Sequence, residues 1–336
     1  MNALFTLALS LFSLAALAQE IGSFEIENLT DLNTEQSEFS AMDWGGGVVF
    51  TSTRGNGGLT ACVDRFTGER YADLFVANAT AEGFAPAELL RGSANRRYHD
   101  GTSAFTEEGT LMYFARNAGK PNQQNVMTLE ILATTIGKNG WAEDYPLSFN
   151  LENYNTCHPT LSRDGKTMIF ASDRPGGQGG MDLWASRLTN GEWSEPMNLG
   201  PRINSSGNEV FPYLDRDEKL YFSSNGHHSG TDLNVFRASR TGVGPTDWDQ
   251  VRTLPAPINS PADDFGFARA GDDSDTGYLS SNRSGGKGGD DIYQWTFTGA
   301  EDEAPVPLAV IDKETGEPLS KTSLTIFPDG TEIGSW

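Results

Sequence analysis

The sequence predicts an all-β fold: a five-bladed β-propeller closed by the N-terminal strand and followed by a truncated β-sandwich fragment. A unit of four short predicted strands recurs along the chain, and Ser172, Ser224 and Ser281 occupy equivalent places in it, 52 and 57 residues apart. In the clearest copies a glycine-rich loop joins the second strand to the third. Four-stranded repeats with a period of about 50 residues are typical of propellers, in which each repeat forms one blade.

The clearest repeat lies between Cys157 and Trp184. Asp164-Gly165 is a hairpin signal that separates the first strand from the short apolar run at 168–170, which is the second. The glycines between 176 and 180 exclude a helix and supply left-handed backbone for a tight loop. A third strand starts at Asp182, and a fourth follows it.

Four further copies are predicted, which brings the number of blades to five. Strong copies start at Glu209 and Asp264, and weaker copies precede the clearest repeat, with second strands at 48–52 and 111–116. In the copy that starts at Glu209, the third strand is predicted to begin at Asp232.

The last copy has no fourth strand before the acidic, proline-rich segment 299–307, which we interpret as a linker. Residues 24–29 (FEIENL), in contrast, have strand character but no blade of their own. If they pair with the last copy, the ring closes without an open sheet edge. The propeller is therefore predicted over residues 21–298.

The first 18 residues predict a secretory signal peptide. An apolar run from Leu4 to Leu14 precedes Ala16-Leu17-Ala18, a small-x-small cleavage site, and the run is too short for a comfortable membrane span. No other stretch of the sequence is long and apolar enough to cross a membrane. The mature protein is therefore expected in the periplasm or associated with the outer membrane.

Residues 308–336 predict the start of a second domain. Two predicted strands cannot bury a core by themselves. We interpret this segment as the opening of an immunoglobulin-like or prealbumin-like β-sandwich, whose remainder is expected to be absent from this chain.

The composition limits the partners. A net charge of −22 disfavours nucleic acid and anionic membrane surfaces, and it favours cationic partners or calcium. Charged residues make up only 21% of the chain, so it is not a disordered acidic tail. Cys62 and Cys157 can pair in an oxidising compartment or remain as buried thiols, and the sequence leaves both interpretations open.

Aligning the repeats with one another equates five residues that begin the blades. They are Glu38, Asp100, Thr156, Glu209 and Asp264. On loops that enter the innermost strands, these residues would surround one mouth of the channel as a candidate binding ring for a cation or a basic peptide. In the alternative interpretation, each carboxylate accepts backbone N–H bonds from the neighbouring blade.

A second repeated set follows the loops between the second and third strands. It consists of Asp182, Asp232 and Asp291. We interpret these as structural carboxylates that cap loop N–H groups and pair with Arg174 or Arg283. Calcium is the alternative, although the loops lack the spaced oxygen ligands of a calcium-binding loop, and no metal site or other cofactor is predicted.

The sequence predicts no catalytic residues. The histidines lack the spacing of a metal motif; they are His99, His158, His227 and His228. Residues 162–165 distantly resemble a sialidase Asp-box, but Thr167-Met168 stands where Thr and Trp should end that box. No Gly-x-Ser-x-Gly sequence is present. The chain is therefore not expected to be an enzyme.

The repeats resemble the WD40-like (Pro-Asp type) repeats of TolB-like propellers and of OmpA-family envelope proteins. The family pattern is matched by Ser162 to Lys166 (SRDGK), Ser172-Asp173-Arg174, the loop 176–180 and Asp182-Leu183-Trp184, and again from Ser281 to Tyr293. The match is strong over 150–298 and weak over 37–149. One departure is Thr156, which stands where the family has an acidic residue.

Residues 311–319 (IDKETGEPL) are similar to the start of a carboxypeptidase-regulatory-like domain. A propeller followed by such a domain resembles the arrangement of Bacteroidetes OmpA-family proteins, among them accessory proteins of the type IX secretion system. The resemblance implies an envelope or secretion-system protein as the partner. Peptidoglycan binding in those relatives belongs to a C-terminal OmpA-type domain, so it is not expected of this chain.

Two functional hypotheses follow. The first is a non-enzymatic cell-envelope scaffold whose propeller face binds a protein, as part of an outer-membrane-associated or secretion-related assembly. The second is a secreted propeller that binds or hydrolyses glycans. Exposed aromatic residues beside a pocket with convergent carboxylates would favour the second hypothesis, whereas a flat acidic face with no deep pocket would favour the first.

Overall fold

The computed structural model describes residues 22–299, except 56–62, 64–67, 69, 123–124 and 272–273. The predicted signal peptide and sandwich fragment, nearly all of the linker, and Cys62 lie outside the described residues. Every regular element in the described part of the chain is a β-strand. No helix there has the length and apolarity needed to cross a membrane.

The strands form five separate antiparallel sheets, which confirms the five-bladed propeller. Blade 1 contains β2 (Glu38–Trp44), β3 (Gly47–Ser52), β4 (Asp73–Thr80), β5 (Gly83–Phe84) and β6 (Glu88–Leu89). Blade 2 contains β7 (Asp100–Phe105), β8 (Leu111–Asn117), β9 (Leu129–Gly137), β10 (Gly140–Trp141) and β11 (Tyr145–Pro146). Blade 3 contains β12 (Thr156–Leu161), β13 (Thr167–Ser172), β14 (Asp182–Thr189), β15 (Glu192–Trp193) and β16 (Met197–Asn198).

The last two blades have four strands each. Blade 4 contains β17 (Glu209–Leu214), β18 (Lys219–Ser224), β19 (Asn234–Ser239) and β20 (Arg252–Thr253). Blade 5 contains β21 (Asp264–Arg269), β22 (Thr276–Ser281), β23 (Asp291–Gly299) and β1 (Gly22–Asn28). In blades 1 to 3 the predicted fourth strand is split into two short pieces that both pair with the third strand.

The N-terminal strand closes the ring, as the sequence predicts. Blade 5 has the strand order β1-β23-β22-β21, so the first strand of the chain is the outermost strand of the last blade. Alternate residues of β1 face the blade: the ring of Phe24 lies 5.7 Å from that of Trp295 and 4.8 Å from that of Phe297. The period-2 pattern of FEIENL is therefore explained by a half-buried edge strand.

The apolar core lies between the blades rather than within them. Five clusters of buried side chains occupy the five interfaces between neighbouring blades. In one, Ile169 of blade 3 packs with Leu220 of blade 4; in another, Phe50 of blade 1 packs with Tyr278 of blade 5. Because each sheet is covered on both faces, the second strands are almost continuously buried, which is why they appear as short apolar runs.

Two predicted strands of blade 4 differ from the structure. The third strand begins at Asn234 rather than at Asp232, because His228 bonds the Gly230 N–H and the Asp232 carbonyl and holds this stretch in a turn. The fourth strand, predicted over 248–254, is limited to Arg252–Thr253, and Trp248 is fully buried ahead of it. The register pairs Ser224 with Asn234, so Asn234 takes the place of Asp182 and Asp291 in this blade.

Candidate functional site

The innermost strands of the five blades surround the central channel. They are β2, β7, β12, β17 and β21, and each contacts the innermost strands on both sides of it. All five begin at one mouth of the channel, which we call the proximal mouth, and end at the opposite mouth. The two mouths have different chemistry.

The five residues of the predicted ring are the first residues of these strands: Glu38, Asp100, Thr156, Glu209 and Asp264. All five have an exposed fraction of 0%. Each of the four carboxylates accepts the backbone N–H of the residue four positions before it, at 2.5 to 2.8 Å. The structure therefore places these side chains inside the blades rather than in an exposed ring, and their N–H donors come from the preceding connection.

Arginines near the ends of the second strands complete these buried clusters. Arg283 forms a buried ion pair with Asp264, and it donates to the Ile258 carbonyl at 2.8 Å. Arg174 donates to the Thr156 hydroxyl at 3.1 Å. The predicted pairing of Arg174 and Arg283 with the aspartates after the loops is thus replaced by contacts with the residues that begin the blades. Arg54 and Arg116 contact Glu38 and Asp100 in the same way.

Blade 4 lacks this arginine. Gly226 stands at the corresponding position, and the next residue, His227, takes over part of the role. Its Nε2 bonds the Ile203 carbonyl oxygen at 2.7 Å and lies 4.0 Å from the carboxylate of Glu209. A β-carbon at Gly226 would lie 1.8 Å from the Ser205 hydroxyl, so this close approach excludes any side chain there.

The aspartates after the loops are internal caps. Asp182 accepts the N–H groups of residues 178 and 179 at 2.5 and 3.1 Å. Asp291 accepts those of residues 287 and 288 at 2.5 and 3.0 Å. Both carboxylates also accept an asparagine side-chain N–H at 2.8 Å, from the fourth strand of their blade. Their oxygens are thus occupied by donors from the chain itself.

A repeated asparagine was not predicted from the sequence. In each blade one asparagine side chain bonds both the N–H and the C=O of a residue near the start of the third strand, at 2.6 to 3.0 Å. The pairs are Asn33 with Ile292, Asn95 with Leu74, Asn150 with Ile131, Asn204 with Leu183 and Asn259 with Val235. The Ile-Asn-Ser repeats at 203–205 and 258–260 carry the signal that could have revealed it.

Aromatic rings on three of the innermost strands pack against one another near the proximal mouth. The ring of His158 stacks on that of Phe211 at 3.9 Å, and Phe211 packs on Phe265 at 4.7 Å. The third residue of every innermost strand has left-handed backbone, which bulges the strand at that point: Ser40, Thr102, His158, Phe211 and Gly266.

The distal mouth is a cavity of about 840 Å³, which we call the cup. All five blades line it, through the ends of their innermost strands and the turns that follow: 42–47, 104–110, 160–163, 213–216 and 269–271. A volume of this size is typical of sites that enclose a small ligand or several side chains of a peptide. The cup is therefore the candidate functional site.

The wall of the cup contains polar side chains that are paired with one another. Arg269 Nε lies 3.7 Å from Asp215 Oδ2, and both side chains are less than a tenth exposed. Burial raises the pKa of Asp215, and the Lys219 N–H and Arg269 oppose that shift. Burial also raises the pKa of Tyr213 to about 12. The hydroxyl of Tyr278 donates to Asp43 Oδ1 at 3.0 Å.

The rim of the cup carries an exposed ion cluster from three blades. Glu107 Oε1 lies 3.4 Å from Arg163 Nε and 3.3 Å from Arg216 Nη2. A single carboxylate of blade 2 therefore contacts arginines of blades 3 and 4. Glu108, beside it, is exposed and also lines the cup.

The cysteine and metal predictions have separate outcomes. Cys157 is buried, and burial raises the pKa of its thiol well above the usual range. Cys62 lies outside the described residues, so the disulfide remains a prediction. Within the described ranges, no group of three His, Cys, Asp or Glu side chains is arranged to hold a metal ion.

No family model matches the sequence, and no curated protein matches it. Solved structures with a similar fold include TolB from Acinetobacter baumannii, 15% identical, with a TM-score of 0.42 over 79% of this chain and 56% of that one. An α-L-arabinofuranosidase from Lactobacillus brevis is 12% identical, with a TM-score of 0.45 over 85% and 93% of the two chains. A putative glycoside hydrolase from Parabacteroides distasonis is 14% identical, with a TM-score of 0.48 over 83% and 97%.

This chain spans 56% of the TolB structure and 35% of a puromycin-hydrolysing peptidase from Mycobacterium tuberculosis that it also matches. None of these likenesses assigns an activity to the chain.

Proposed function

We propose that this chain is a non-enzymatic, protein-binding propeller of the bacterial cell envelope, and that the cup receives a segment of its partner. The observation that carries the proposal is a cavity built from the turns of all five blades. Three of the four carboxylates in its lining are paired: Glu107 with two arginines, Asp215 with Arg269 and Asp43 with Tyr278. A wall of paired polar groups suits recognition.

Glycan hydrolysis would require carboxyl groups that can reach a substrate. A glycosidase needs two carboxyl groups that face the scissile bond from opposite sides. In the cup, Asp215 is 4% exposed and accepts the N–H groups of Asp217 and Lys219 at 2.9 and 2.8 Å. This carboxylate stabilises a turn, and it is poorly placed to meet a substrate.

The envelope location rests on the predicted signal peptide and on the resemblance of the repeats to those of TolB-like and OmpA-family proteins. The net charge of −22 agrees with a protein that stays in solution beside an anionic membrane surface. The proposed partner is an envelope or secretion-system protein.

Crosslinking in the native envelope tests the proposal. Thr110→Trp places a large side chain at an exposed position of the cup wall, and Ser229→Trp places the same side chain on an exposed loop at the opposite face. We expect wild type and Ser229→Trp to crosslink to the same envelope protein, and Thr110→Trp to lose that product. Equal yields from both variants would show that the cup does not receive the partner.

A second candidate function is glycan binding, because aromatic side chains line the cup beside carboxylates. Trp44, Phe105 and Tyr213 are half-buried in the wall, and Asp43 lies next to Trp44. Recovery of glycan without protein in the crosslinking experiment, together with loss of glycan retention in Thr110→Trp, would favour this function over the first. Release of reducing sugar by the wild type would show that the protein hydrolyses the glycan as well as binding it.

A further inference from the structure

The two rim arginines of the cup are held by a residue of the chain itself. Arg163 and Arg216 belong to neighbouring blades and stand seven positions after Thr156 and Glu209, the first residues of those blades. Both contact the same oxygen of Glu107, Oε1, at 3.4 and 3.3 Å. One carboxylate oxygen thus occupies the point where two guanidinium groups converge.

This contact is exposed and therefore weak. The side chains of Arg163 and Glu107 are 56% and 48% exposed, and that of Arg216 is 22% exposed. Ion pairs between solvent-exposed side chains contribute little to stability, because water and salt screen them and two long side chains lose freedom. The third arginine of the wall, Arg269, differs: its ion pair with Asp215 is buried. Glu107 can therefore be exchanged for an outside carboxylate, whereas Asp215 cannot.

We infer that Arg163 and Arg216 form a carboxylate-binding site for the partner segment, and that Glu107 occupies this site until the partner replaces it. The inference rests on the proposed function, and it specifies the chemistry of the segment that enters the cup. Guanidinium groups match the planar geometry of a carboxylate and bind it through charge-assisted hydrogen bonds.

The surroundings of the site favour a singly charged carboxylate over a phosphate group. Glu108 and Asp43 also line the cup, and the chain as a whole has a net charge of −22. The negative charges of the chain would repel a second negative charge on the ligand, and the two arginines would not compensate for that repulsion. Leu161 and Leu214 contribute apolar surface below the rim, so the predicted ligand is a peptide with an acidic side chain beside apolar ones.

A peptide array with matched charge variants tests the inference. The probes are immobilised pentapeptides Ala-Leu-X-Leu-Ala, with X as Glu, Gln or Lys. We expect the wild type to retain the Glu peptide above the other two. Glu107→Gln should raise retention of the Glu peptide by up to about fivefold, because the competing carboxylate is gone. Adding Arg163→Met and Arg216→Met to Glu107→Gln should abolish that gain.

Glu108→Gln is the matched control. It removes the same charge from the adjacent residue, which makes no ion pair with either arginine, so it should raise retention much less than Glu107→Gln. Equal gains from the two variants, or stronger retention of the Lys peptide, would overturn the inference. Thermal unfolding of each variant confirms that it is folded.

The two proposals fail in different ways. If Thr110→Trp loses the envelope crosslink but Glu107→Gln and Glu108→Gln behave alike on the array, the cup binds a partner without a carboxylate exchange. If Thr110→Trp keeps the crosslink, the proposed use of the cup itself is wrong.

Discussion

The side chain of Asn33 holds both backbone polar groups of Ile292, a residue 259 positions away in the chain. Its Nδ2 donates to the Ile292 carbonyl oxygen at 2.8 Å, and its Oδ1 accepts the Ile292 N–H at 2.9 Å. Asn204 makes the same pair of bonds to Leu183 within the connected part of blade 3. The ring is thus closed with the same chemistry that stabilises the other blades.

Removing this clamp should weaken the ring at its closure. In Asn33→Ala the Ile292 N–H loses its partner inside the protein, whereas the carbonyl keeps the bond from the Leu29 N–H at 3.0 Å. An orphaned buried donor costs about 1–3 kcal/mol. Urea denaturation should show a decrease of that size in the free energy of unfolding. Asn78→Ala is the control, because this asparagine is exposed and should change stability by less than about 0.5 kcal/mol.

Arg116 holds two buried carboxylates at once. It forms an ion pair with Asp100, and its Nη1 lies 2.7 Å from Asp144 Oδ2, with all three side chains at most 7% exposed. Arg116→Met leaves Asp100 without its cation, whereas Asp144 keeps its ion pair with Arg96 at 3.0 Å. Loss of the partner of a buried charge costs about 3–5 kcal/mol. Denaturation at pH 8 should show a decrease of that size.

The cost of Arg116→Met should depend on pH. Burial raises the pKa of Asp100 to about 6 in the folded protein even with Arg116 present, compared with about 4 in the unfolded chain. A raised folded pKa favours folding at low pH, and that contribution is lost as the pH rises through about 6. The variant should therefore lose less stability at pH 5 than at pH 8.

Arg174→Met is the matched comparison, because blade 3 begins with the neutral Thr156. Burial lowers the pKa of Arg174 to about 10, and its removal leaves no carboxylate behind in Thr156. We expect a loss below about 2 kcal/mol that is the same at pH 5 and pH 8. An equal decrease in the free energy of unfolding of Arg116→Met and Arg174→Met would show that the unpaired carboxylates do not cause the destabilisation.

Gly226 is required by a close approach of two loops. A β-carbon there would lie 1.8 Å from Ser205 Oγ, which donates to Glu209 Oε1 at 2.5 Å, and 2.8 Å from the backbone nitrogen of Gly207. Gly226→Ala should therefore destabilise the protein by about 1–3 kcal/mol through overpacking. Gly119→Ala places the same methyl group in open space and should be close to neutral. Thermal melts of the two variants compare them directly.

Local sequence signals were sufficient to predict the blades, the number of blades and the strand that closes the ring. Asp-Gly turns, short apolar runs and glycine-rich loops each depend on neighbouring residues, and Ser172, Ser224 and Ser281 do pair with the first residues of their blades. The orphan strand at 24–29 was placed correctly because its alternation required a partner sheet.

The site could not be predicted in the same way. The sequence left two interpretations of Glu38 and its equivalents open, a binding ring and carboxylates that accept backbone N–H bonds, since a repeated carboxylate on a loop is compatible with either. Their burial depends on arginines that are distant along the chain, such as Arg283 for Asp264. The cup is formed by the turns of five blades, and no local pattern shows that Glu107 will reach Arg216, 109 residues away.

His158 should make the protein sensitive to acid. It lies in the channel against Phe211, whose N–H donates to His158 Nδ1 at 3.3 Å, and burial lowers the pKa of His158 to about 3. The unfolded value is about 6.5. A lowered folded pKa gives stability that is complete above pH 6.5 and is lost as the pH falls towards 3. Protonation would also replace the Nδ1 acceptor with a donor that faces the Phe211 N–H.

The phenylalanine variant His158→Phe tests this prediction. Phenylalanine already occupies the equivalent left-handed position in blade 4, at Phe211, so the backbone tolerates it. We expect the variant to be about 1 kcal/mol less stable at pH 7, because one hydrogen bond is lost. Between pH 6.5 and pH 4, however, it should lose about 2–4 kcal/mol less than the wild type.

The quantity to compare is the difference in stability between the wild type and His158→Phe at each pH, because other groups titrate in the same pH range. Burial raises the pKa of Asp73 and of Asp100 to about 6, so both acids favour folding as the pH falls from 6 to 4, opposite in sign to His158. These contributions are the same in wild type and variant and cancel in the difference. Asn78→Ala, which changes an exposed side chain without a titratable group, should keep the wild-type profile. If His158→Phe also keeps it, His158 is not the residue that titrates.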